Sequence, residues 1–132
     1  MRLLLALALL AAACSAPMPD PEPTQPPRST GGFNQAPAMV ARYAELACSG
    51  TEEGIPFLVA NSGEEMGVTA EALRGAFAGR TYPCTATRYL GGGALTGRQG
   101  PEEQYLFVFT YASGIEASWL FQVQDGKVVG VQ

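Results

Sequence analysis

The chain has 132 residues, of which 12 are acidic, 8 are basic and none is histidine. Its net charge of −4 argues against nucleic-acid binding, which requires a basic surface, and against attachment to anionic lipid through basic clusters. The absence of histidine removes the commonest general base and the commonest metal ligand, so neither a Ser-His-Asp triad nor a histidine-based zinc site can form.

The N-terminal segment has the features of an export signal. Arg2 is followed by an apolar run of 11 residues, from Leu3 to Ala13. This run is shorter than the roughly 20 residues that cross a bilayer, but it has the length of the hydrophobic part of a signal peptide. We therefore predict a signal peptide over residues 1–13 that is cleaved before Cys14.

Residues 9–14, Leu-Leu-Ala-Ala-Ala-Cys, resemble the lipobox of bacterial lipoproteins. In that family the cysteine thiol receives a diacylglycerol, and the cysteine then becomes the first residue of the mature chain. The resemblance implies lipidation of Cys14, with alanine standing three residues before it where the family prefers leucine. An ordinary secretory signal is the alternative, because Ala11 and Ala13 also satisfy the small-residue rule for cleavage at this bond.

The number of cysteines favours lipidation. The chain has three, and an unpaired cysteine is a liability in an exported protein. If Cys14 carries lipid, Cys48 and Cys84 are left as a pair that we expect to form a structural disulfide in an oxidising compartment. A redox-active pair is the less favoured alternative, since these two cysteines do not form a Cys-x-x-Cys motif.

The residue after the lipidated cysteine directs sorting in bacteria with two membranes, and here it is Ser15. Because it is not aspartate, the resemblance implies sorting to the periplasmic face of the outer membrane. In a bacterium with one membrane, the same anchor would hold the chain on the outer face of the plasma membrane. The membrane, bound through the lipid, is therefore the first expected partner.

A proline-rich segment separates Cys14 from the part of the chain that can fold. Seven of the ten prolines lie within residues 16–37, and such a segment favours extended polyproline II over a packed core. We predict that residues 14–37 form a lipidated, disordered tether and that residues 38–132 form one small α+β domain. A binding motif for a proline-recognising partner is the alternative.

The first half of this domain is expected to be helical. Pro37 can open a helix. The residues that follow at the spacing of one helical face are Met39, Tyr43 and Leu46. The apolar segment 55–59 fits a helical turn and a short strand equally well. Thr69 is expected to cap a further helix. The apolar face of that helix would consist of Leu73, Ala76 and Phe77.

The second half alternates as strands do. A first strand is predicted over residues 81–90, where Gly91–Gly93 would end it and open a long loop to Gln104. Strands over residues 105–111 and 115–124 are the clearest elements of the sequence. A three-residue loop between them gathers the aromatic side chains on one face. The expected pairs are Tyr105 with Phe121, Phe107 with Trp119 and Phe109 with Ala117.

The turns of the two hairpins set which residues pair. A two-residue turn at Ser113-Gly114, which would pair Tyr111 with Glu116, is the less favoured alternative for the central hairpin. Asp125-Gly126 is a typical two-residue hairpin turn. It would pair Val123 with Val128 and Phe121 with Gly130.

The sequence offers few candidates for chemistry. The aromatic residues that could line an apolar ligand pocket are Tyr105, Phe107, Phe109 and Trp119. At this spacing, such residues are more often ordinary core. The carboxylate pairs Glu52-Glu53 and Glu64-Glu65 are expected to be solvated, and Ca²⁺ binding there would lack the spacing of an EF-hand. We predict no catalytic residue, no metal site and no cofactor.

The domain resembles the NTF2-like and cystatin-like domains of small lipoproteins. The residues that carry the resemblance are the helix over 38–47, Thr69–Leu73, the aromatic strands and Asp125–Val129. It implies an α+β fold in which N-terminal helices pack on a curved, three- to four-stranded antiparallel sheet. A second resemblance, through Gly67–Glu71, is to small outer-membrane assembly lipoproteins.

These observations predict a membrane-anchored envelope lipoprotein. The absence of a catalytic motif favours a non-enzymatic binding or assembly module with an envelope protein as its partner. The alternative is a small enzyme or a carrier of lipophilic ligands that uses an NTF2-like cavity. A purely structural or immunity-type surface protein is a third reading.

Overall fold

The computed structural model of the protein describes residues 35–95 and 102–132. The predicted signal peptide, Cys14 and most of the predicted tether therefore lie outside the described residues. The helices are α1 (Ala38–Ser49), α2 (Ile55–Ala60) and α3 (Ala70–Ala78); the strands are β1 (Cys84–Ala94), β2 (Glu103–Tyr111), β3 (Glu116–Gln124) and β4 (Lys127–Val131). The strands form one antiparallel sheet in the order β1-β2-β3-β4, with the helices packed on it. The predicted α+β fold is confirmed.

Helix α1 buries Tyr43 and Leu46 of the predicted apolar face, whereas Met39 is only partly buried. Gly50 ends the helix in the left-handed conformation, with a φ of 63° that suits glycine. Its N–H donates to the carbonyl oxygen of Leu46 at 2.9 Å. The buried residues of the helix are Val40, Tyr43, Ala44, Leu46 and Cys48.

Two shorter helices follow. The apolar segment 55–59, whose sequence fitted a helical turn and a short strand equally well, is helical and lies in α2. This helix has a proline in its first turn. Thr69 caps α3 as predicted, because its hydroxyl oxygen accepts a hydrogen bond from the N–H of Ala72 at 3.1 Å. The apolar face of α3 packs less closely than expected: Leu73 and Phe77 are partly buried, while Ala76 is exposed.

The predicted end of the first strand at Gly91–Gly93 is wrong. The triple glycine does not end the strand, which continues to Ala94, and the predicted long loop from Gly91 to Gln104 is replaced by an extension of the β1–β2 hairpin. The pairing shifts between Tyr89 and Gly91, which marks a bulge, and then resumes. A side chain at Gly92 would place its Cβ 2.2 Å from the carbonyl oxygen of Gln104. Glycine is therefore required here by close contact between strands.

The register of the β2–β3 hairpin is as predicted. Phe107 pairs with Trp119, Tyr105 with Phe121 and Phe109 with Ala117. The N–H of Gly114 donates to the carbonyl oxygen of Tyr111 at 2.8 Å, and Gly114 has a φ of 81°. This is the three-residue loop with glycine in the left-handed position.

The predicted pairing of the β3–β4 hairpin is confirmed next to its turn and is wrong farther along the strands. Val123 pairs with Val128, but a bulge then shifts the register by one residue. Phe121 consequently pairs with Val131, and Gly130 pairs with Gln122. The sequence of the turn fixes only the first pairs, whereas the bulge depends on packing farther along the strand.

One face of the sheet, called here the inner face, forms the core with α1. It carries the buried residues Tyr105, Phe107, Phe109, Phe121 and Val123. Tyr43 of α1 contacts the ring of Phe121 edge-on at a centroid distance of 5.9 Å. Among the described residues, no helix is both long and apolar enough to cross a membrane.

Candidate functional site

The predicted disulfide is present. Cys48 in the last turn of α1 is bonded to Cys84 at the start of β1, and the two Cα atoms are 5.1 Å apart. Both residues are buried. Since 36 residues separate the two in sequence, the bond should stabilise the domain by about 3–4 kcal/mol through its effect on the unfolded chain. The disulfide uses both cysteines of the domain.

Arg80 joins α3 to the end of α1 beside this disulfide. Its guanidinium donates to the carbonyl oxygen of Cys48 at 2.6 Å and also to that of Ala47. The same group lies 4.7 Å from the ring centroid of Phe77. Burial lowers the pKa of Arg80 from its ordinary value. A cation at this position satisfies carbonyls that have no partner within the helix and is favoured by the helix dipole.

Three of the four predicted pocket residues lie together in the core. Tyr105, Phe107 and Phe109 are between 3% and 4% exposed. Phe107 and Phe109 contact the ring of Phe121 at centroid distances of 5.5 and 6.2 Å. Trp119 is only partly buried and contacts Phe109 at 5.8 Å. The four share the inner face, and their role in lining a ligand pocket stays a prediction.

A row of aromatic residues crosses the inner face at one level of the sheet. Tyr89 of β1 pairs with Phe107 of β2, which pairs in turn with Trp119 of β3. The ring centroids of Tyr89 and Phe107 are 5.2 Å apart. The sequence analysis did not single out Tyr89. Tyr89 lies two residues after Thr87 in the predicted first strand, and this spacing places both on one face of the sheet.

The residues at the two ends of this row each carry one buried polar atom. Tyr89 Oη and Trp119 Nε1 are both buried, and neither has a hydrogen-bonding partner within residues 35–95 and 102–132. Burial raises the pKa of Tyr89, which keeps its hydroxyl protonated. Buried polar groups are nearly always hydrogen-bonded in folded proteins, so two such donors on one face need an explanation.

Tyr105 lies beside the row, where its ring is 6.4 Å from that of Tyr89. Burial, together with the charge of Glu103 and a hydrogen bond to it, raises the pKa of Tyr105 to about 12. This edge of the inner face therefore already holds a carboxylate.

The two carboxylate pairs are exposed, as expected. Glu52 binds Arg74, whose Nε donates to its carboxylate at 2.8 Å, and this hydrogen bond lowers the pKa of Glu52. In the part of the chain that the structure describes, no three acidic or cysteine side chains are grouped so that they could hold a metal ion.

Two exposed apolar side chains, Tyr82 and Ile115, lie at one end of the sheet. This end, which consists of Tyr82, Pro83 and the β2–β3 loop with Ile115, is called here the hairpin end. Tyr82 is 50% exposed and Ile115 is 59% exposed. The N–H of Ala112 donates to the carbonyl oxygen of Pro83 at 2.9 Å, which holds the two segments side by side.

Comparison with protein families, with curated proteins and with solved structures found no match to this chain.

Proposed function

We propose that the chain is a membrane-anchored lipoprotein of the bacterial cell envelope, whose domain acts as a non-enzymatic binding or assembly module. The observation that supports the anchor is the disulfide. Cys48 and Cys84 pair with each other, so Cys14 is the remaining cysteine of the three in the sequence. A buried structural disulfide suits an exported protein. The remaining thiol follows a signal-like segment, where lipid would occupy it.

Fractionation of cells that produce the chain tests this anchor. The native chain should remain with the membranes after washing with high salt and alkaline carbonate. The Cys14→Ser variant should appear in the soluble periplasmic or secreted fraction with its disulfide intact, because Ala11 and Ala13 still permit cleavage. A native chain that washes off as readily as the variant would contradict the anchor.

The hairpin end supports a binding role. Tyr82 and Ile115 place an aromatic and an aliphatic side chain in solvent, and such residues commonly serve as anchors at interfaces. The disulfide joins the end of α1 to the start of β1 next to Tyr82. The tether enters at Pro37, about 18 Å away along the axis of α1. The hairpin end is therefore free to contact a protein at a distance from the anchor.

A photo-crosslinking residue at position 115 tests this role in intact cells. Gln124 is the matched control, because it is exposed on the same strand pair but at the opposite end of β3. We expect a defined crosslinked species from position 115 that is absent from position 124 and weaker in the Cys14→Ser background. Equal crosslinking from both positions would contradict a specific surface at the hairpin end.

A second candidate is a carrier of lipophilic ligands. The observation that favours it is a pair of donors on the aromatic inner face, Tyr89 Oη and Trp119 Nε1, which have no hydrogen-bonding partner in the described part of the chain. Ligand sites for small molecules are mostly apolar, with a few polar groups that fix orientation. Binding of a radiolabelled or fluorescent lipid by the purified protein, lost when Trp119 is replaced, would support this candidate over a protein-binding role alone.

A further inference from the structure

We infer that the face of the sheet opposite the inner face, called here the outer face, is the surface through which two copies of the chain pack sheet against sheet. The inference goes beyond the proposed function, and it depends neither on the lipid anchor nor on the hairpin end. It is carried by a row of leucine residues on the outer face and by a pair of opposite charges beside that row.

The middle of the outer face is apolar, whereas the solvated face of an antiparallel sheet is normally polar. Side chains alternate between the two faces of a strand, and the core residues of β2 and β3 have odd numbers, so the even positions lie on the outer face. Leu106 of β2 pairs there with Leu120 of β3, and both are half-buried. Neither leucine belongs to the core of the inner face.

The apolar strip continues onto β1. The bulge after Tyr89 places Leu90 and Gly91 together opposite Leu106. Leu90 is 45% exposed, although a leucine side chain gains free energy when it leaves water. Leu90, Leu106 and Leu120, called here the leucine row, therefore cross three adjacent strands over a distance of about 10 Å between the outer Cα atoms.

Two opposite charges lie on the outer face between the leucine row and the hairpin end. Arg88 of β1 and Glu116 of β3 are two strands apart, and Arg88 Nη2 lies 4.0 Å from Glu116 Oε2. Their side chains are 61% and 54% exposed, so each retains room for a second partner. Because the two charges cancel, a second acidic chain can approach this part of the face without net repulsion.

A two-fold axis parallel to β2 makes the outer face complementary to itself. Such an axis keeps the strands of the two sheets aligned, as in a β-sandwich, with the sheets about 10 Å apart. Since β2 lies between β1 and β3, the axis brings β1 of one copy over β3 of the other. Leu106 then meets Leu106 of the second copy, and Leu90 lies over Leu120 of the second copy. The leucine row is thus covered along its whole length.

The same axis brings the opposite charges of the two copies together. Arg88 is level with Ser118 across the sheet, because both are aligned with Val108. The axis therefore places Arg88 of one copy over Ser118 of the other, which is small, exposed and two residues from Glu116. An ion pair between Arg88 and Glu116 of the second copy forms twice, as an isologous contact requires. This arrangement of charges selects a second copy as the occupant of the face.

Sedimentation velocity of the mature chain tests the inference. The chain carries Cys14→Ser, so that neither lipid nor detergent drives association. We expect a reversible monomer–dimer equilibrium with a micromolar Kd, because one face of a four-stranded sheet is a small interface. Leu106→Glu should weaken the dimer at least about 100-fold, because two carboxylates would meet in an apolar contact without a cation. Ala38→Glu adds the same charge at an exposed position of α1 and should leave the dimer unchanged.

Charge reversal tests how the two copies are arranged, and it does so independently of folding. Arg88→Glu and Glu116→Arg should each weaken self-association about 5- to 30-fold, because both ion pairs of the dimer become repulsive. An equal mixture of the two variants should recover the native affinity, since opposite charges then meet at both contacts. Both variants remain acidic, because one reversal changes the net charge of −4 by two units. Overall attraction therefore cannot cause the recovery.

Three results would overturn the inference. A native chain that remains monomeric at millimolar concentration would leave the outer face to solvent or, if deletion of residues 15–34 then permits dimers, to the N-terminal segment of the same chain. Self-association that survives Leu106→Glu would place the contact between copies on another surface. Loss of the dimer in Leu106→Glu without recovery in the mixture of charge variants would contradict the two-fold axis along β2.

Discussion

Tyr43 of α1 and Ser62, 19 residues later, share a buried hydrogen bond of 2.7 Å between their hydroxyl oxygens. Ser62 also donates its only hydroxyl hydrogen to the carbonyl oxygen of Leu58, at 2.7 Å. Tyr43 must therefore be the donor to Ser62. The neighbouring backbone also pairs with β4, because the N–H of Gly63 donates to the carbonyl oxygen of Val128 at 2.7 Å. This chain of contacts fixes α1 and α2 to the edge of the sheet.

Replacement of Ser62 by alanine should reveal the strength of this link. The change leaves the buried hydroxyl of Tyr43 without its acceptor, so we expect the free energy of unfolding to fall by about 1–3 kcal/mol. Adding Tyr43→Phe to Ser62→Ala should recover part of the loss, because the orphaned hydroxyl is then gone. Urea unfolding of the two single variants and the double variant measures this. Additive effects would contradict the assigned hydrogen bond.

Arg80→Ala should lower the free energy of unfolding by about 1–2 kcal/mol, because two carbonyls at the end of α1 lose a charged donor. Arg42→Ala is the control. Arg42 forms an exposed ion pair with Glu45, so its replacement should change stability by less than about 0.5 kcal/mol. Thermal unfolding of the two variants side by side makes the comparison. Equal effects would mean that Arg80 does not cap the helix.

Two glycine-to-alanine changes should act in opposite directions. Gly92→Ala places a Cβ against the backbone of β2 and should destabilise the domain by about 2 kcal/mol or more. Gly75→Ala lies within α3, where nothing is within 4 Å of the new Cβ, and should stabilise it by about 0.5–1 kcal/mol. Chemical unfolding midpoints provide the measurement. A harmless Gly92→Ala would contradict the extended β1.

Stability should fall in alkaline solution. The pKa of Tyr105 is raised to about 12 in the fold, above its ordinary value of 10.0, and the pKa of Tyr43 is also raised. Because the unfolded chain loses these protons first, the stabilisation is fully present below pH 10 and is lost as the pH rises from 10 through 12. We expect a loss of at least about 1 kcal/mol from urea titrations between pH 9 and pH 12. Tyr105→Phe should flatten that dependence, and an unchanged slope would count against the raised pKa.

Local sequence patterns determined much of this fold. The β2–β3 register followed from alternating aromatic residues and from Gly114, because a one-residue slip would have turned Phe107 and Phe109 out of the core. The Cys48–Cys84 pair followed from counting cysteines. These features depend on neighbours in sequence or on a small number of choices, so the sequence alone was sufficient to predict them.

Features that depend on contacts between distant segments were not predictable. Gly91–Gly93 has the composition of a turn, yet the pairing of Gly92 with Tyr105 continues the strand. The same limit applies to the β3–β4 bulge. The role of Ser62 arises only when α1 packs beside it, and the burial of the Tyr89 hydroxyl arises from the packing of the inner face. The aromatic row of Tyr89, Phe107 and Trp119 likewise forms only when three strands pair.

The intact mass of the mature protein, extracted from membranes with detergent, tests the central claim most directly. We predict a chain that begins at Cys14, contains the Cys48–Cys84 disulfide and carries the added mass of a diacylglyceryl group, with or without a further acyl chain on its amino group. A mature chain whose first residue is unmodified and whose mass equals that of the polypeptide alone would contradict the account and leave a secreted domain without an anchor.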